Sequence, residues 1–341
     1  MQVEITDETS CIDASGKSIN LGWARRPLWQ FSPEDMHGPK RRIFASDRYI
    51  IFSSSCMMCF QVMDDGLLGY IGATVMSLID DKRSTKYIEI PFPMGEMFLP
   101  SSSSESSLKY QRGDANFIFS PMPGGAKIIK IDFLKFGHKR HLRGEVVLSP
   151  LQNADEIVIN QQWKNEKWAF TLAERNPSYI AEGVMQHGAE EYIFTKGNSF
   201  GIFDWSRGIR PKSDIHYWAA ACGKTANNEK SATTIAWNFG YSGADSSLAT
   251  ENAYFINGKI HKIDDIYFKY SRSNLMLPWT ITNRDNSIEI NFKPHQERME
   301  KHRMFYHYHN RRQFCGSFSG KIDEYSFKNI SGFAEFSRTK H

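Results

Sequence analysis

Apolar and polar residues alternate in short runs along most of the chain. The clearest run is residues 287–293, S-I-E-I-N-F-K. In another, Ile129, Ile131 and Phe133 share one face opposite Lys130 and Asp132. A period of two places one side of an extended chain against a core, which is the pattern of a β-strand. Similar runs occupy 47–52, 68–78, 87–90, 115–119, 128–136 and 144–148 in the first half. In the second half Thr233, Ile235, Trp237 and Phe239 share a face, as do Ile266, Phe268 and Tyr270, and strands are expected at 303–308, 314–322 and 332–336. Asn257-Gly258 lies between two such runs and carries the signature of a tight hairpin. Helical periodicity is nearly absent: only 214–222 predicts a short helix, with Asp214 as its cap. Many short strands separated by turn residues point to barrels or sandwiches, and we read two antiparallel β domains as barrels.

Residues 150–165 are the weakest patterned part of the middle, and Asn176-Pro177 is another break. The domain boundary is therefore expected near 165, giving domains 1–165 and 166–341, the second carrying the candidate site. Residues 100–107, P-S-S-S-S-E-S-S, read as a solvated loop. The segment G-W-A-R-R-P-L-W at 22–29 cannot be helical inside because of Pro27. It reads as a packing strap across a barrel mouth, or as a segment that brings Arg25 or Arg26 to a site.

Composition sharpens this picture. A chain of 341 residues suits two domains. Phe, Tyr and Trp make up 13% of it, which favours pleated sheets and pockets for flat or apolar ligands. The net charge is +4 with scattered basic residues, so no nucleic-acid-binding face is expected. The basic pieces at 139–143 and 298–303 read as solvated loops or strand ends. The start of the chain is polar and acidic, which does not resemble a secretory signal. The longest apolar stretch, 67–79, is interrupted by Gly69 and Gly72 and is shorter than the roughly 20 residues that span a bilayer. Five cysteines, an odd number, argue against a disulfide framework. A reduced, cytoplasmic protein without stable membrane insertion is the expectation.

Several motifs occur in order along the whole chain: G-W-A-R-R-P-L (22–28), F-D-W-S-R-G (203–208), H-Y-W-A-A-A (216–221), T-E-N-A (250–253), N-G-K-I-H-K (257–262) and P-W (278–279). With F-C-G-S-F-S-G (314–320) and G-F-A-E (332–335), this series resembles a bacterial family catalogued as a domain of unknown function. That family is distantly similar to the lipocalin-like tandem barrels of carotenoid hydratases and some fungal cyclases. The resemblance implies two lipocalin-like, calycin-type barrels packed together. It also implies kinship with lyases, hydratases and pericyclase-like enzymes that work on apolar ligands without a metal. It transfers no residue roles, so those rest on chemistry.

Residues 201–253 concentrate that chemistry. Asp204, Trp205 and Arg207 fall within four positions, followed by His216, Tyr217, Trp218, Trp237, Glu251 and Asn252. Buried charges are costly unless paired, so such clustering predicts a polar site in an aromatic wall. Asp204 and Glu251 are the candidate acid–base pair, suited to hydration, elimination, isomerisation or glycoside cleavage. The structural alternative pairs Asp204 with Arg207 across a turn and uses Glu251 and Asn252 as caps. Arg207 is a candidate clamp for a carboxylate or phosphate. His216 is the candidate proton shuttle, with His261 a weaker polar candidate. Trp205, Trp218, Trp237 and Trp279 are assigned either to a cavity wall or to the core.

His307 and His309 are expected on one strand face, with His302 nearby, but no carboxylate or cysteine at local ligand spacing completes a metal set. Cys56 and Cys59 would point to opposite faces of a strand and make no site. Phosphate-binding loops, nucleophile elbows and H-E-x-x-H motifs do not occur. The expectation is therefore a metal-free, cofactor-free enzyme acting on a small sugar or apolar organic molecule, of the lyase, hydratase, isomerase or glycosidase class. Asp204, Glu251 and His216 would be catalytic. Arg207, Trp205, Tyr217, Trp218, Trp237, Asn252, His261 and Trp279 would contact the substrate. The alternative is a lipid or pigment carrier, whose carboxylates would lie outside the pocket or be locked in salt bridges. A purely structural module is a third reading.

Overall fold

The period-two pattern is realised over nearly the whole chain. In the strand Ile288–Met304 buried and exposed side chains alternate over most of its length. The computed structural model describes residues 2–104, 107–225 and 233–341, so Glu105 and Ser106 of the serine-rich loop lie outside the described residues. Among those described there is no α-helix, and no helix is long and apolar enough to cross a membrane.

Two large antiparallel sheets dominate the architecture of the described residues, beside a small parallel pair, Thr9–Ser10 with Trp29–Gln30. A 13-stranded sheet runs from Arg83–Pro91 through Leu68–Ser77, Cys56–Asp64, Ile43–Phe52 and Phe200–Ile209. It continues through Glu166–His187, Arg140–Ser149, Lys127–Phe136 and Ala115–Pro121 to Leu108–Arg112. It curls into a near-closed barrel, bringing Arg83–Pro91 back towards Lys127–Phe136. A nine-stranded sheet forms a half-barrel, ordered Lys259–Lys262, Ala253–Ile256, Thr234–Tyr241, Ser213–Lys224, Tyr325–Lys340, His307–Ile322, Ile288–Met304, Trp279–Thr282 and Tyr267–Lys269. The all-β, two-barrel expectation holds.

Several local expectations are corrected. Residues 214–222 are not helical but belong to the strand Ser213–Lys224. Ala219 and Ala221 face the half-barrel core, whereas Trp218, Ala220 and Cys222 face the first sheet. A strand buried on both faces has no polar side, so its period is hidden. The first sheet extends to Ile209 and the second begins at Ser213, so the expected division at 165/166 falls inside the first sheet. Residues 150–165 contain the strand Ile157–Trp163, which pairs with Glu166–His187. Asn176-Pro177 is absorbed as a register irregularity between Asn176 and Tyr179. Residues 303–308 are a hairpin tip rather than a strand, with Met304 opposite His307.

Elsewhere the local signals hold. Asn257 and Gly258 have φ of 49° and 82°, the two left-handed positions that a type I′ turn needs. Gly22–Ala24 pairs with Ile157–Trp163, so the 22–29 segment widens the first sheet, while Arg25 turns away to Glu4 at 2.7 Å. Cys56 and Cys59 enter different core clusters, on opposite faces of their strand.

The first barrel is filled. Tyr49, Phe60, Phe117, Phe133, Val146 and Phe203 occupy its interior, with no exposure beyond a few per cent. Trp237, Trp279, Phe292, Phe314, Phe318 and Phe327 do the same in the half-barrel. A third apolar cluster, including Ile50, Met57, Ile202, Trp218 and Phe333, cements the two sheets where their outer faces meet. Trp237 and Trp279 are thus core residues and not a cavity wall. Trp237→Ala is expected to lower stability by about 3–5 kcal/mol in urea unfolding, as for other fully buried aromatics.

Candidate functional site

Strand alternation decides which face each candidate takes. In Phe200–Ile209, Asp204 and Ser206 point out of the first barrel towards the second sheet, while Trp205 and Arg207 point in. Arg207 is 2% exposed, and its donors are spent on Asp47 Oδ1 at 2.7 Å and on the carbonyls of Ser46, Pro100 and Ser206. It also stacks over Trp205, 4.3 Å from the ring centre. Neither residue touches the cleft between the sheets, so the expected Arg207 clamp and Trp205 wall are corrected to barrel structure. The alternative pairing of Asp204 with Arg207 fails for the same reason.

Asp204 instead joins a chain of charges across the two sheets. Its Oδ2 accepts from Arg48 Nη2 at 3.0 Å, and its Oδ1 accepts from Arg175 Nε at 3.1 Å and from Ser206 Oγ at 3.2 Å. Arg48 Nη1 also donates to Glu335 Oε1 of the second sheet at 3.0 Å, and Gln313 Nε2 donates to Glu335 Oε2 at 2.8 Å. Arg175 forms an ion pair with Glu251, whose other oxygen lies 2.6 Å from His216 Nε2. Asp204, on the first sheet, and Glu251, in the loop that leads into Ala253–Ile256 of the second, are thus bridged by Arg175. Trp218 is the floor: Arg48 and Arg175 lie 4.5 and 4.9 Å from its ring, and its Nε1 donates to Asn238 Oδ1 at 2.7 Å.

The T-E-N-A motif has a clear local purpose. Lys262 Nζ donates to Thr250 Oγ1 and the Asn252 carbonyl, both at 2.8 Å, and to the Ile263 carbonyl at 3.0 Å. Burial pushes this ammonium down to about 7. Asn238 Nδ2 donates to the Glu251 carbonyl at 2.8 Å, and the Gly240 amide donates to Asn252 Oδ1 at 2.7 Å. Together these bonds fix the backbone on both sides of Glu251, so its carboxylate is aimed rather than free.

Two connected spaces open onto this array. A polar cavity of about 90 Å³ is lined by Arg48, Arg175, Asp204, His216, Glu251 and Arg311, among others. A wider cleft of about 400 Å³ is lined by Tyr241, Ile266, Phe268 and Asn252. Gln161, Ser242, Ala244 and Glu251 border both. Tyr217, on the opposite strand face from His216, stacks on Tyr241 at 4.6 Å and bonds Tyr270 at 2.8 Å, backing the cleft wall. His261 stacks on Tyr254 at 4.6 Å and borders a separate depression, so it is corrected to a position outside the site. The structure therefore gathers Asp204, Glu251, His216 and Asn252, supported by Tyr217 and Trp218. It leaves out Arg207, Trp205, Trp237, Trp279 and His261.

Electrostatics separate the roles. Burial acts to raise the Asp204 carboxyl, but Arg175 and Arg48 outweigh it and hold it down to about 2. Burial, reinforced by Arg175, pushes His216 well below its ordinary value, so the imidazole is neutral. Glu251 then accepts from Nε2–H and leaves Nδ1 as the basic nitrogen.

Sequence reasoning missed Arg48, Arg175, Glu335 and Arg311. An arginine inside the apolar run D-R-Y-I-I-F was the available signal for Arg48, and A-E-R-N at 173–176 for Arg175. Arg298, expected to be solvated, is buried and donates to Glu300 at 2.8 Å. His307 and His309 share a face as expected, and His302 goes elsewhere, to Glu89 at 2.8 Å.

Fold and site together define a tandem antiparallel-barrel protein with a buried ionic cleft between its sheets. The chain belongs to DUF2804, a domain of unknown function, with the match spanning residues 2–341. No curated protein matches it. Among solved structures, CghA is similar at 9% identity over 90% of each chain, with a TM-score of 0.51, or 0.52 for CghA with Sch210972. The crystal structure of a putative AttH from Nitrosomonas europaea matches at 9% identity over 92% of this chain and 98% of that one, with a TM-score of 0.50. Kievitone hydratase from Nectria haematococca matches at 11% identity over 86% and 88%, with a TM-score of 0.45.

Arg175→Met would leave Asp204 and Glu251 without their shared cation, and a loss of about 3–5 kcal/mol is expected in urea unfolding. Asp204 also generates a pH window. Its folded value lies below the unfolded 3.8, so its contribution is present above about pH 4 and is lost as pH falls towards about 2. Urea midpoints measured across that window should fall more steeply for the native protein than for Asp204→Asn.

Proposed function

We propose that the protein is an enzyme that adds water to, or eliminates it from, a small organic substrate held in the cleft between the sheets. The observation that carries this reading is His216 Nε2 lying 2.6 Å from Glu251 Oε1, where the narrow polar cavity meets the wider aromatic-rimmed cleft. Asp204 is held as an anion by two arginines, so its part is to fix Arg175 and not to donate a proton. The acid–base work therefore passes from the Asp204–Glu251 pair to His216 and Glu251. Glycoside cleavage loses ground, because it requires a protonated carboxylic acid opposite a second carboxylate.

In the elimination direction, His216 Nδ1 takes a proton from a carbon activated by a neighbouring carbonyl. Arg175 supplies fixed positive charge beside the developing enolate oxygen. The C–O bond to the leaving hydroxyl then breaks, and the imidazolium returns its proton so that water departs. Glu251 stabilises the imidazolium in between. Hydration is the same path reversed. The aromatic rim of Tyr241 and Phe268 suits an apolar body behind the reacting carbons. CghA, which shares the fold, has been crystallised with Sch210972, and this supports searching the cleft for an organic ligand.

A carrier is the second reading, favoured by the tie of both carboxylates to Arg175. Native mass spectrometry of the gently purified protein would identify a co-purifying molecule, which is then incubated with enzyme. Turnover that falls about 100-fold or more in both His216→Gln and Glu251→Gln, with folding intact, is the expected result. A ligand that binds and leaves unchanged, equally in both variants, would establish the carrier instead. Because burial holds His216 below its ordinary 6.5, kcat/KM should stay level through pH 6.5 and decline only at more acidic pH.

A further inference from the structure

At one end of the contact between the sheets lies a second polar cluster that the His216–Glu251 chemistry does not use. Asp65 follows the strand Cys56–Asp64 of the first sheet. His307 opens the strand His307–Ile322, and His341 follows Tyr325–Lys340 of the second. The His341 amide is fastened to the Lys212 carbonyl at 2.9 Å. One ligand atom from each of Asp65, His307 and His341 lies within 4.8 Å of the others. His309 is adjacent, its Nδ1 3.9 Å from Asp65 Oδ2.

These groups are deeply buried: Asp65 is 2% exposed, His307 0% and His341 9%. Buried polar atoms are nearly always hydrogen-bonded. Here Asp65 Oδ2 and both ring nitrogens of His307, His309 and His341 have no hydrogen-bond partner among the described residues. Arg210 Nε engages the other Asp65 oxygen, Oδ1, at 3.0 Å. That bond orients the carboxylate and leaves Oδ2 facing the imidazoles. Oδ2 lies 3.5 Å from His307 Nε2, too long for a hydrogen bond. It matches the separation of about 3.4 Å between two ligands that each sit about 2.1 Å from a tetrahedral metal.

We propose that Asp65, His307 and His341 form a zinc-type divalent metal site that joins the end of the half-barrel to the first barrel. Three protein ligands leave one position open, and His309, which also borders the polar cavity, stands beside it. An N/O donor set of two imidazoles and a carboxylate takes zinc more tightly than manganese or iron(II), so zinc is the appropriate probe.

The full-length protein would be stripped with a chelator, dialysed, and titrated with zinc chloride by calorimetry, with bound zinc counted by elemental analysis. The expected result is one tightly held zinc per chain and a rise in melting temperature. His307→Gln and His341→Gln should each weaken binding about 10-fold or more and abolish the zinc-dependent rise in melting temperature. His341 follows the last strand and can be replaced without disturbing the sheet interior, so its variant remains informative if His307→Gln folds poorly. His261→Gln serves as the control for general binding among the 11 histidines. A native protein that retains no zinc, or a His341→Gln protein that binds it with unchanged affinity, would overturn the site. Neither outcome bears on His216 or Glu251.

Discussion

Charges that have been taken out of water must find one another, and this constraint fixes how the two sheets meet. The series Glu335, Arg48, Asp204, Arg175, Glu251 alternates in sign; its three middle members belong to the first sheet, and its two ends reach across to the second. Each member is almost fully buried, so any slip of one sheet against the other would strand an ion in a medium of low dielectric. The apolar contact of Ile50, Met57 and Phe333 is non-directional by comparison and tolerates small shifts. Apolar packing holds the sheets together, and the ionic chain selects their alignment.

The same chain separates chemistry from scaffolding within it. Asp204 touches two guanidinium groups and is committed to them, whereas His216 reaches Glu251 at the border of open space. Further along, Glu300 is saturated by Arg298, Arg311, Tyr70 and Tyr87 and lines neither the polar cavity nor the wider cleft. A network of uniform composition therefore divides into parts by access to the cleft, not by residue type.

Much of the fold was legible because period-two alternation survives wherever one strand face is polar, as at 287–293. It failed at 214–222, where both faces are buried and a run of alanines hides the period. It failed also at 303–308, where the turn residues Phe305 and Tyr306 read as strand formers. The site was half legible for a related reason. Asp204, His216 and Glu251 stood out as acids and bases beside tryptophans, but Arg207 and Trp205 were adjacent only along the chain and lie on the reverse strand face. Arg48, Arg175 and Glu335 come from strands far away in sequence, and register alone brings them together. The neighbours of His307 were illegible on the same grounds, since Asp65 and His341 have no local spacing to advertise them.

A filled first barrel has a consequence for how such a protein can change. With its interior occupied by Phe60, Phe117, Phe133 and their neighbours, it behaves as a fixed anvil, and new ligand shapes have no room there. The opposing jaw is built of shorter pieces: the Ser242 and Ala244 loop, the Thr250–Asn252 cradle and the edge around Ile266 and Phe268. Substitutions in that jaw can reshape the opening while the ionic hinge beneath it stays clamped. Under the proposed function, divergence of ligand choice would be channelled into one thin rim of the half-barrel.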